Sequence, residues 1–363
     1  MDFALQLPVN KLSFGQVSIC ILQEIHKRGL EPSLFPINQD VDAYSLSPDF
    51  IKWLKSCIDK GPRVHKKDNP VFLLWHLNAS AMNSVSNKRV MLSFYELDAP
   101  TPSEVNIASG PDKLFFTADH SVKTFSNYGI KSELMPLGFD KYHFKKIDKK
   151  YFDDGRIVFN LCGKLEKRKR HSKVIKAWAK KFGNNKKYQL QCAVHNTFLQ
   201  KEMPSLINRI LDNQRYFNIQ FLPFMDKNVQ YNDFLNSADI VIGMSGGEGW
   251  GLPEFHSVAI GKHAVLMGAT GYEEWATDKN SIKVKPNGKI SSVDGVFFQE
   301  GAEYNQGRIY DFDEDEFIAA CEKAVERVES NPENTEGLSL QEEFTYKKTT
   351  DQILDSLKAI NDA

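Results

Sequence analysis

Short apolar runs alternate with helix-patterned stretches along most of the chain. The first run, Phe3 to Val9, is followed by a turn from Asn10 to Gly15 and then by apolar residues at helical spacing, until Gly29 ends the helix. Because consecutive parallel strands need a crossover helix between them, the alternation predicts an α/β fold. Further predicted strands are residues 71–75, 90–95, 113–116, 156–161, 188–193, 219–222, 239–243 and 264–267, and further predicted helices are residues 169–182, 197–212, 229–236 and 253–260.

The alternation is interrupted by a polar, lysine-rich stretch between Asp140 and Asp154. We therefore predict two doubly wound, Rossmann-like domains, residues 1–150 and 151–340. A chain of 363 residues with 41% hydrophobic positions is long enough to bury two cores. A last helix, residues 341–363, is not needed to cover the second sheet, and we expect it to pack back on the first domain.

The five cysteines show none of the close spacings of zinc sites or disulfide frameworks. The amino terminus has no basic residues before its short apolar run, which is unlike a signal peptide. No stretch of the sequence is long and apolar enough to cross a membrane. These features predict a reduced setting, the cytoplasm of a bacterium or of a phage-infected host, and no transmembrane segment.

The densest candidate site is a glycine-rich turn, Ser245–Gly251, between the predicted strand 239–243 and a helix that starts near Pro253. Glycines let the backbone approach a ligand closely, and the free amides of a first helical turn favour an anion such as a diphosphate. In open α/β sheets ligands bind beyond the carboxyl ends of the strands, so Glu248 would face such a ligand. The pattern alone also allows a plain tight connection with Glu248 in solvent.

A second loop, Gly163–His171, follows the first strand of the predicted second domain and opens on the same sheet edge. Lys164 and Lys169 in this loop could neutralise the phosphates of a departing nucleotide in place of a metal. They could also be surface lysines, but positive charge beside a helix amino terminus is unfavourable unless an anion is bound. The pattern therefore favours an anion-binding role.

In their order and spacing these segments resemble the retaining glycosyltransferases of family 4, which have the GT-B fold. That family shows a Gly-Arg-Leu stretch with a downstream lysine and later Ser-x-x-Glu-Gly-Phe-Gly-Leu; here Lys164 replaces the arginine and Trp250 the phenylalanine. Pro136–Phe144 is similar to the family's entry to the interdomain linker, and Ser13–Gln16 to its amino-terminal glycine loop. The resemblance implies two Rossmann-like domains that face a central cleft.

The resemblance also implies a nucleoside diphosphate sugar, a UDP- or GDP-sugar, as donor substrate, and no cofactor. Glu248 would contact hydroxyls of the transferred sugar, and Lys164 and Lys169 would hold the diphosphate. Gly15 would let backbone amides of the first domain reach the same phosphates. The acceptor would attack on the face that the leaving group vacates, so that configuration is retained. The remaining donor-binding positions that the resemblance implies are Gly163, Arg168, Gly249, Trp250, Gly251, Leu252 and His256.

One position departs from the family pattern. The family commonly has a second glutamate eight residues after the first, which grips the ribose hydroxyls, and this chain has His256 there. A carboxylate accepts two hydrogen bonds from a diol, whereas a neutral imidazole accepts one. Glu254 lies about 200° around the helix from His256 and cannot simply take over, so we interpret it as a first-turn acid favoured by the helix dipole.

In the first domain, Glu96 follows a predicted strand where many relatives carry a histidine near the reacting sugar. The resemblance implies contact with donor or acceptor, although a carboxylate at a strand end is more often a cap or a surface group. His76, after another predicted strand, has the same two interpretations.

We find no Asp-x-Asp metal clamp in suitable surroundings. The candidate segment, Asp311–Asp315, lies in the acidic tail, where the start of a solvated helix explains it. We therefore expect no metal ligands and no dependence on divalent metal.

Charge is segregated along the chain, and this bears on the acceptor. Residues 141–187 carry 17 Lys or Arg and four Asp or Glu, although the whole chain has a net charge of −1. An acceptor glycan or other soluble small molecule is favoured, since the first domain has no clear basic amphipathic helix for docking on a membrane. The basic segment keeps a nucleic-acid acceptor open, such as a hydroxylated base of phage-type DNA. His256 keeps a third alternative open, a degenerate relative that binds a nucleotide sugar or nucleic acid without turnover.

Overall fold

The computed structural model describes residues 1–37, 41 and 46–362. Contacts between Cα atoms divide the chain into two compact units. Unit 1 comprises Met1–Tyr142, Gly301–Gly307 and Phe344–Ala363, and unit 2 comprises His143–Glu300 and Arg308–Glu343.

Each unit is built on a six-stranded sheet whose neighbouring strands are all parallel. Most of these strands are apolar on both faces, as strands covered on both sides by helices must be. The strands are β1 Ala4–Leu7, β2 Ser33–Pro36, β3 Val71–Leu74, β4 Arg89–Ser93, β5 Lys113–Phe116 and β6 Glu133–Leu134 in unit 1, then β7 Ile157–Cys162, β8 Tyr188–Ala193, β9 Ile219–Phe221, β10 Ile240–Gly243, β11 His263–Met267 and β12 Ile282–Val284 in unit 2, where β13 Pro286–Ser291 and β14 Arg308–Phe312 form an antiparallel pair.

Helices connect the strands and cover the sheets. They are α1 Ser13–Lys27, α2 Pro48–Val64, α3 Pro102–Ala108, α4 Asp119–Ser126, α5 His171–Phe182, α6 Met203–Ile210, α7 Asn228–Asn236, α8 Leu252–Ala259, α9 Glu314–Ser330, α10 Thr335–Leu338, α11 Leu340–Glu343 and α12 Tyr346–Asp362. In the described part of the chain, none of these helices is both long enough and apolar enough to span a bilayer.

The last helix, α12, belongs to unit 1. It contacts α1, β3 and β4. The backbone amide of Phe139 donates to the carbonyl of Phe344 at 2.9 Å, just ahead of this helix. Gly138 lies so close to the helix start that a Cβ there would be 2.0 Å from the nitrogen of Tyr346. Residues far apart in sequence therefore complete one core.

In unit 2 the strand order is β12-β11-β10-β7-β8-β9. The chain starts at β7 in the middle, fills one side with β8 and β9, and then returns to β10 and fills the other. The point where the winding direction reverses lies between β7 and β10. The loops that leave the carboxyl ends of these two strands lie at this point, which is the usual ligand position of a doubly wound sheet.

The strand pair β13–β14 carries a long connection that is shared between the units. Residues 301–307 of this connection belong to unit 1. The hydroxyl of Thr101 donates to the carbonyl of Glu303 at 2.6 Å, and the amide of Asn305 donates to the carboxylate of Glu104 at 2.9 Å. Thr101 and Glu104 also form the capping box of α3, so the same carboxylate holds both segments.

The basic segment is matched in space by the acidic tail of the same unit. Lys181 pairs with Glu322 at 2.6 Å and Lys187 pairs with Glu329 at 2.7 Å, which ties the α5–β8 region to α9. Both pairs are exposed, and solvent and salt screen them, so they contribute little to stability. The charge asymmetry of the sequence is therefore partly an intradomain pairing rather than one continuous basic surface.

Some element boundaries differ from those predicted. Helix α1 begins at Ser13, so Gly15 lies in its first turn and not in the loop before it. The helix predicted over residues 197–212 is shorter, because a 3-10 turn at Thr197–Leu199 precedes α6, which has a proline in its first turn. The acidic tail starts in strand β14, and its helical part begins at Glu314.

Candidate functional site

Two loops meet at the reversal point of unit 2. One follows β7 and runs from Gly163 to Arg170, and the other follows β10 and runs from Met244 to Gly251. The amide of Gly246 donates to the carbonyl of Arg168 at 2.8 Å, which joins the two loops directly. These are the two segments that the sequence singled out.

The glycine-rich turn needs its glycines. Gly251 has a φ of 80°, and a Cβ there would lie 2.3 Å from the ring of Tyr272. A Cβ on Gly246 would lie 2.3 Å from the carbonyl oxygen of Tyr310. The turn is fixed on its other side by the amide of Gly271, which donates to the carbonyl of Glu248 at 2.9 Å. Close packing by neighbouring segments therefore excludes side chains at these positions.

Glu248 is buried, not solvated, and its carboxylate is held by two cations. Lys169 Nζ lies 2.5 Å from Glu248 Oε1, and Arg168 Nη1 lies 3.1 Å from the same oxygen. Arg168 also donates to the carbonyl of Gly247 and pairs with Glu166 at 2.6 Å. The four charged side chains form a closed cluster, which we call the Glu248 cluster.

The cluster controls the protonation of its members. Burial opposes ionisation of Glu248, but Lys169 and Arg168 outweigh it and lower the pKa of Glu248 to about 2. Burial likewise opposes the charge on Lys169, yet Glu248 keeps the pKa of that lysine above its usual value. His171, buried beside Lys169, has its pKa lowered to about 3. At neutral pH the site thus holds ionised Glu248 and Lys169 and a neutral His171.

Glu254, in the first turn of α8, is also buried, with its side chain against Gly243. Burial raises the pKa of Glu254 to about 7, although Lys169 acts to lower it. The hydroxyl of Tyr272 lies beside this carboxyl and also acts to lower its pKa. The interpretation of Glu254 as a simple helix-dipole acid is incomplete, because this carboxyl lies inside the unit.

His256 lies on the opposite face of α8 from Glu254 and is surrounded by aromatic rings. Its ring centroid is 4.5 Å from that of Phe144 and 5.6 Å from that of Phe255, and the residue is 2% exposed. The position at which the resemblance led us to expect a carboxylate therefore holds a packed imidazole ring.

The remaining predicted donor residues of unit 2 lie around the Glu248 cluster. Gly163 has a φ of 104°, and the Lys169 side chain passes 3.3 Å from the position of a Cβ there. Lys164 is exposed, with its Nζ 4.3 Å from the ring centroid of Phe297, and it is not one of the cations that hold Glu248.

In the glycine-rich turn, Trp250 is buried, and its backbone carbonyl accepts a hydrogen bond from Trp275 Nε1 at 2.8 Å. Gly249 and Leu252 complete the turn and begin α8.

The predicted residues of unit 1 lie near its own reversal point, between β1 and β3. The ring of Phe14, beside Gly15, is 4.3 Å from that of His76 and 4.1 Å from that of Phe94. Glu96 follows Phe94 by two residues and is half-buried. Gly15 is required at its position, since a Cβ there would lie 2.1 Å from the carbonyl oxygen of Asn10. The loops after β1, β3 and β4 therefore converge within this unit.

The acidic segment Asp311–Asp315 has structural partners. Asp311 accepts from Arg170 at 2.7 Å and from Lys173 at 3.0 Å. Asp313 is the N-cap of α9 and accepts from the amides of Asp315 and Glu316. A helix start, which the sequence predicted, accounts for Asp313. Ion pairs with Arg170 and Lys173 account for Asp311.

Three participants were not found from the sequence. Glu166 lies in the basic loop and was not separated from its neighbours, although an acid within such a run is itself a signal for internal pairing. Thr270 and Tyr272 come from the segment after β11; Thr270 Oγ1 accepts from the amide of Glu248 at 3.1 Å. No spacing rule links this segment to the glycine-rich turn.

Comparisons with known proteins show likeness in structure alone. No protein-family model and no curated protein sequence matches the chain. Among solved structures, Anabaena HepE in complex with UDP and glucose is 12% identical with a TM-score of 0.66, over 99% of this chain and 100% of that one. A glycosyltransferase from Rickettsia africae is 12% identical with a TM-score of 0.66, over 99% and 98%. Sucrose-phosphate synthase from Thermosynechococcus elongatus is 11% identical with a TM-score of 0.61, over 99% and 96%.

These structures cover nearly the whole chain, although fewer than one residue in seven is identical. Such a likeness concerns the course of the backbone and establishes the fold. The two parallel sheets and their connections confirm the architecture that the sequence predicted. The chain has the GT-B fold.

Proposed function

We propose that the protein is a retaining, metal-independent glycosyltransferase that resembles family 4 and transfers a sugar from a nucleoside diphosphate sugar to an acceptor hydroxyl. The observation that carries the proposal is the ionised pair of Lys169 and Glu248 beside a glycine-rich turn at the reversal point of a parallel sheet. The likeness to HepE, whose structure contains UDP and glucose, favours a UDP-sugar over a GDP-sugar as donor.

Each part of the cluster has a chemical task in this proposal. The bond between the anomeric carbon and the diphosphate breaks, and negative charge builds on the departing phosphate, where Lys169 and Arg168 stabilise it. The acceptor oxygen bonds to the anomeric carbon on the same face, and its proton passes to the departing phosphate. Glu248 holds hydroxyls of the sugar by accepting their hydrogen bonds.

The lysine can change partner without leaving the site. Lys169 is fully charged while it is paired with Glu248, so a diphosphate competes with an existing anion for it. When Glu248 turns to sugar hydroxyls, Lys169 is released toward the phosphates. The Glu248 cluster thus keeps both groups ionised until the donor replaces their mutual contact.

The favoured acceptor is a glycan or another soluble molecule. The pairing of Lys181 and Lys187 with acids of α9 reduces the positive charge that the basic segment offers to a phosphate backbone, which weighs against DNA as acceptor. We also propose a cytoplasmic location for the reaction, as the buried, unpaired state of all five cysteines fits a reducing compartment.

The test is to incubate the purified protein with UDP- and GDP-sugars under a chelator and to measure released nucleoside diphosphate. An acceptor panel would include oligosaccharides and hydroxymethylated duplex DNA. We expect release from a UDP-sugar in the chelator, stimulation by a glycan, and a product with the donor's anomeric configuration by NMR.

Other outcomes identify the rival functions. Release that depends on DNA and falls steeply with salt would establish the DNA acceptor. Donor binding with no release under any condition would establish a binding protein without turnover. Activity that appears only with added divalent metal would contradict metal independence.

A further inference from the structure

Unit 2 contains a cavity of about 560 Å³ between helices α5 and α6. Its lining comes from unit 2 alone, namely the loop after β7, the two helices and the connection after β13. The Glu248–Lys169 pair is not part of this lining among the described residues. The volume is in the range of ligand pockets, about 300–1,000 Å³. We call it the α5–α6 cavity.

One part of the cavity wall is apolar. Leu199, Leu206 and Ile210 approach from the α6 side, and Leu165 from the loop after β7. Such a surface has no hydrogen-bonding group to offer and favours a flat or apolar part of a ligand.

The other part is strongly basic. Two acids are also in the lining, but both are engaged: Glu166 pairs with Arg168 at 2.6 Å, and Asp294 accepts from the amides of the turn that follows it. The cationic lining residues are Lys167, Arg170, Lys173, Lys176 and Arg209.

The acids outside the lining do not fully balance this charge. Arg170 and Lys173 share one carboxylate, that of Asp311. Lys176 pairs with Asp212 at 3.2 Å. Lys167 donates to the carbonyl of Val293, which carries no formal charge. Arg209 is exposed and forms no ion pair within the described residues. The wall therefore has an excess of positive charge that suits a phosphate group.

An exposed aromatic side chain lies next to the cavity wall. Phe198, adjacent to Leu199, is 65% exposed, and its ring is 4.8 Å from that of Phe297, adjacent to Val296. An exposed ring beside lysine and arginine side chains is the combination with which proteins hold a nucleic-acid base and its phosphate.

We propose that the α5–α6 cavity binds a nucleotide unit, with the phosphate on the basic wall and the base on the apolar wall and Phe198. This nucleotide is either a free nucleoside monophosphate or one residue of a single-stranded nucleic acid. The lining shares Glu166 with the Glu248 cluster but includes neither Glu248 nor Lys169, so the proposal does not depend on the glycosyltransferase activity.

The test measures binding of AMP by calorimetry and of a short fluorescein-labelled oligodeoxythymidylate by anisotropy. Arg209→Glu reverses the unpaired charge in the cavity. Arg215→Glu is the matched control, because Arg215 is an exposed arginine of the same unit outside the lining. Phe198→Ala removes the exposed ring, and thermal unfolding checks that each variant is folded.

We expect Arg209→Glu to weaken binding about tenfold or more and Arg215→Glu to leave it within about twofold. Phe198→Ala should weaken it several-fold. Binding of AMP alone would identify a free nucleotide, binding of the oligonucleotide alone would identify a strand, and binding of both supports the site with either source.

Two results would overturn the proposal. They are no binding of either probe and equal weakening by the two arginine variants. Release of nucleoside diphosphate from a nucleotide sugar should be the same in Arg209→Glu as in the unmodified protein, so failure here is distinguishable from failure of the proposed transferase.

Discussion

Lys169 Nζ and Glu248 Oε1 lie 2.5 Å apart with both side chains buried, although the residues are 79 positions apart in the chain. Removing one member of such a pair leaves a buried charge without its partner and costs about 3–5 kcal/mol. Truncation to alanine would therefore impair folding and chemistry together. A substitution that keeps the shape of the side chain avoids the loss of packing, and a thermal unfolding measurement on the same variant then separates any loss of folding from a loss of chemistry.

We predict that Glu248→Gln lowers transfer at least about 100-fold, because the amide cannot accept sugar hydroxyl bonds on both of its heavy atoms. The measurement is kcat for release of nucleoside diphosphate at saturating donor. Glu336→Gln, an exposed change of the same kind in unit 2, is the control and should be neutral. A Glu248→Gln protein that is folded and fully active would remove this residue from the site.

Glu254 gives a prediction about pH and stability. Its pKa is about 7 in the folded protein and near 4.5 in an unfolded chain, so the folded state binds the proton more tightly. The ionised carboxyl then costs stability that grows as pH rises from about 4.5 to 7 and is complete above 7.

Glu254→Gln removes this cost, since the amide carries no charge to desolvate. We expect the variant to gain more in Tm over the unmodified protein at pH 8 than at pH 5.5. Glu273→Gln, an exposed change, should show no such difference. Equal shifts of Glu254→Gln at both pH values would show that Glu254 does not retain its proton in the folded state.

Gly251 gives a prediction about backbone geometry. Gly251→Ala must place a Cβ at a φ of 80° and 2.3 Å from Tyr272. We expect a loss of about 1–3 kcal/mol in the free energy of unfolding and a weaker donor interaction. Gly288→Ala is the matched control, because nothing lies within 4 Å of a Cβ there. Denaturant unfolding of both variants compares the two, and similar losses would contradict the strained geometry at Gly251.

His256→Glu restores the residue type that the family has at this position. The new carboxylate would lie against Phe144 and Phe255 in a 2% exposed position, so we predict a lower Tm. We also predict no gain in donor affinity, as measured by calorimetry with UDP. Tighter UDP binding without loss of stability would show that the histidine faces the ribose.

The sequence predicted the buried framework well and the local exceptions poorly. Strands such as β8 and β10 are uninterrupted or nearly uninterrupted buried runs, and their bounds were predicted to within a residue. Strand β13, Pro286–Ser291, is largely exposed and polar, so it carries no apolar pattern to detect.

For the candidate site, Glu248 and Lys169 were singled out from the glycine-rich turn and the basic loop, and the resemblance gave them their expected roles. Their direct contact is a long-range property of the sheet order. The surroundings of Lys164 could not be predicted, because its side chain lies over the ring of Phe297. Phe297 belongs to a connection for which the sequence has no recognisable motif. The burial of Glu254 also depends on Gly243 and Tyr272, which come from other segments.

Helix α12 has a consequence for the order of events during synthesis. Unit 2 ends at Glu343, whereas unit 1 takes its last helix from the final residues of the chain. Domains usually fold as they leave the ribosome, the amino-terminal one first. Here the first sheet to be translated must wait for α12, so the later-made unit can finish its core earlier. The nascent first unit exposes the surface of α1, β3 and β4 until α12 has been translated.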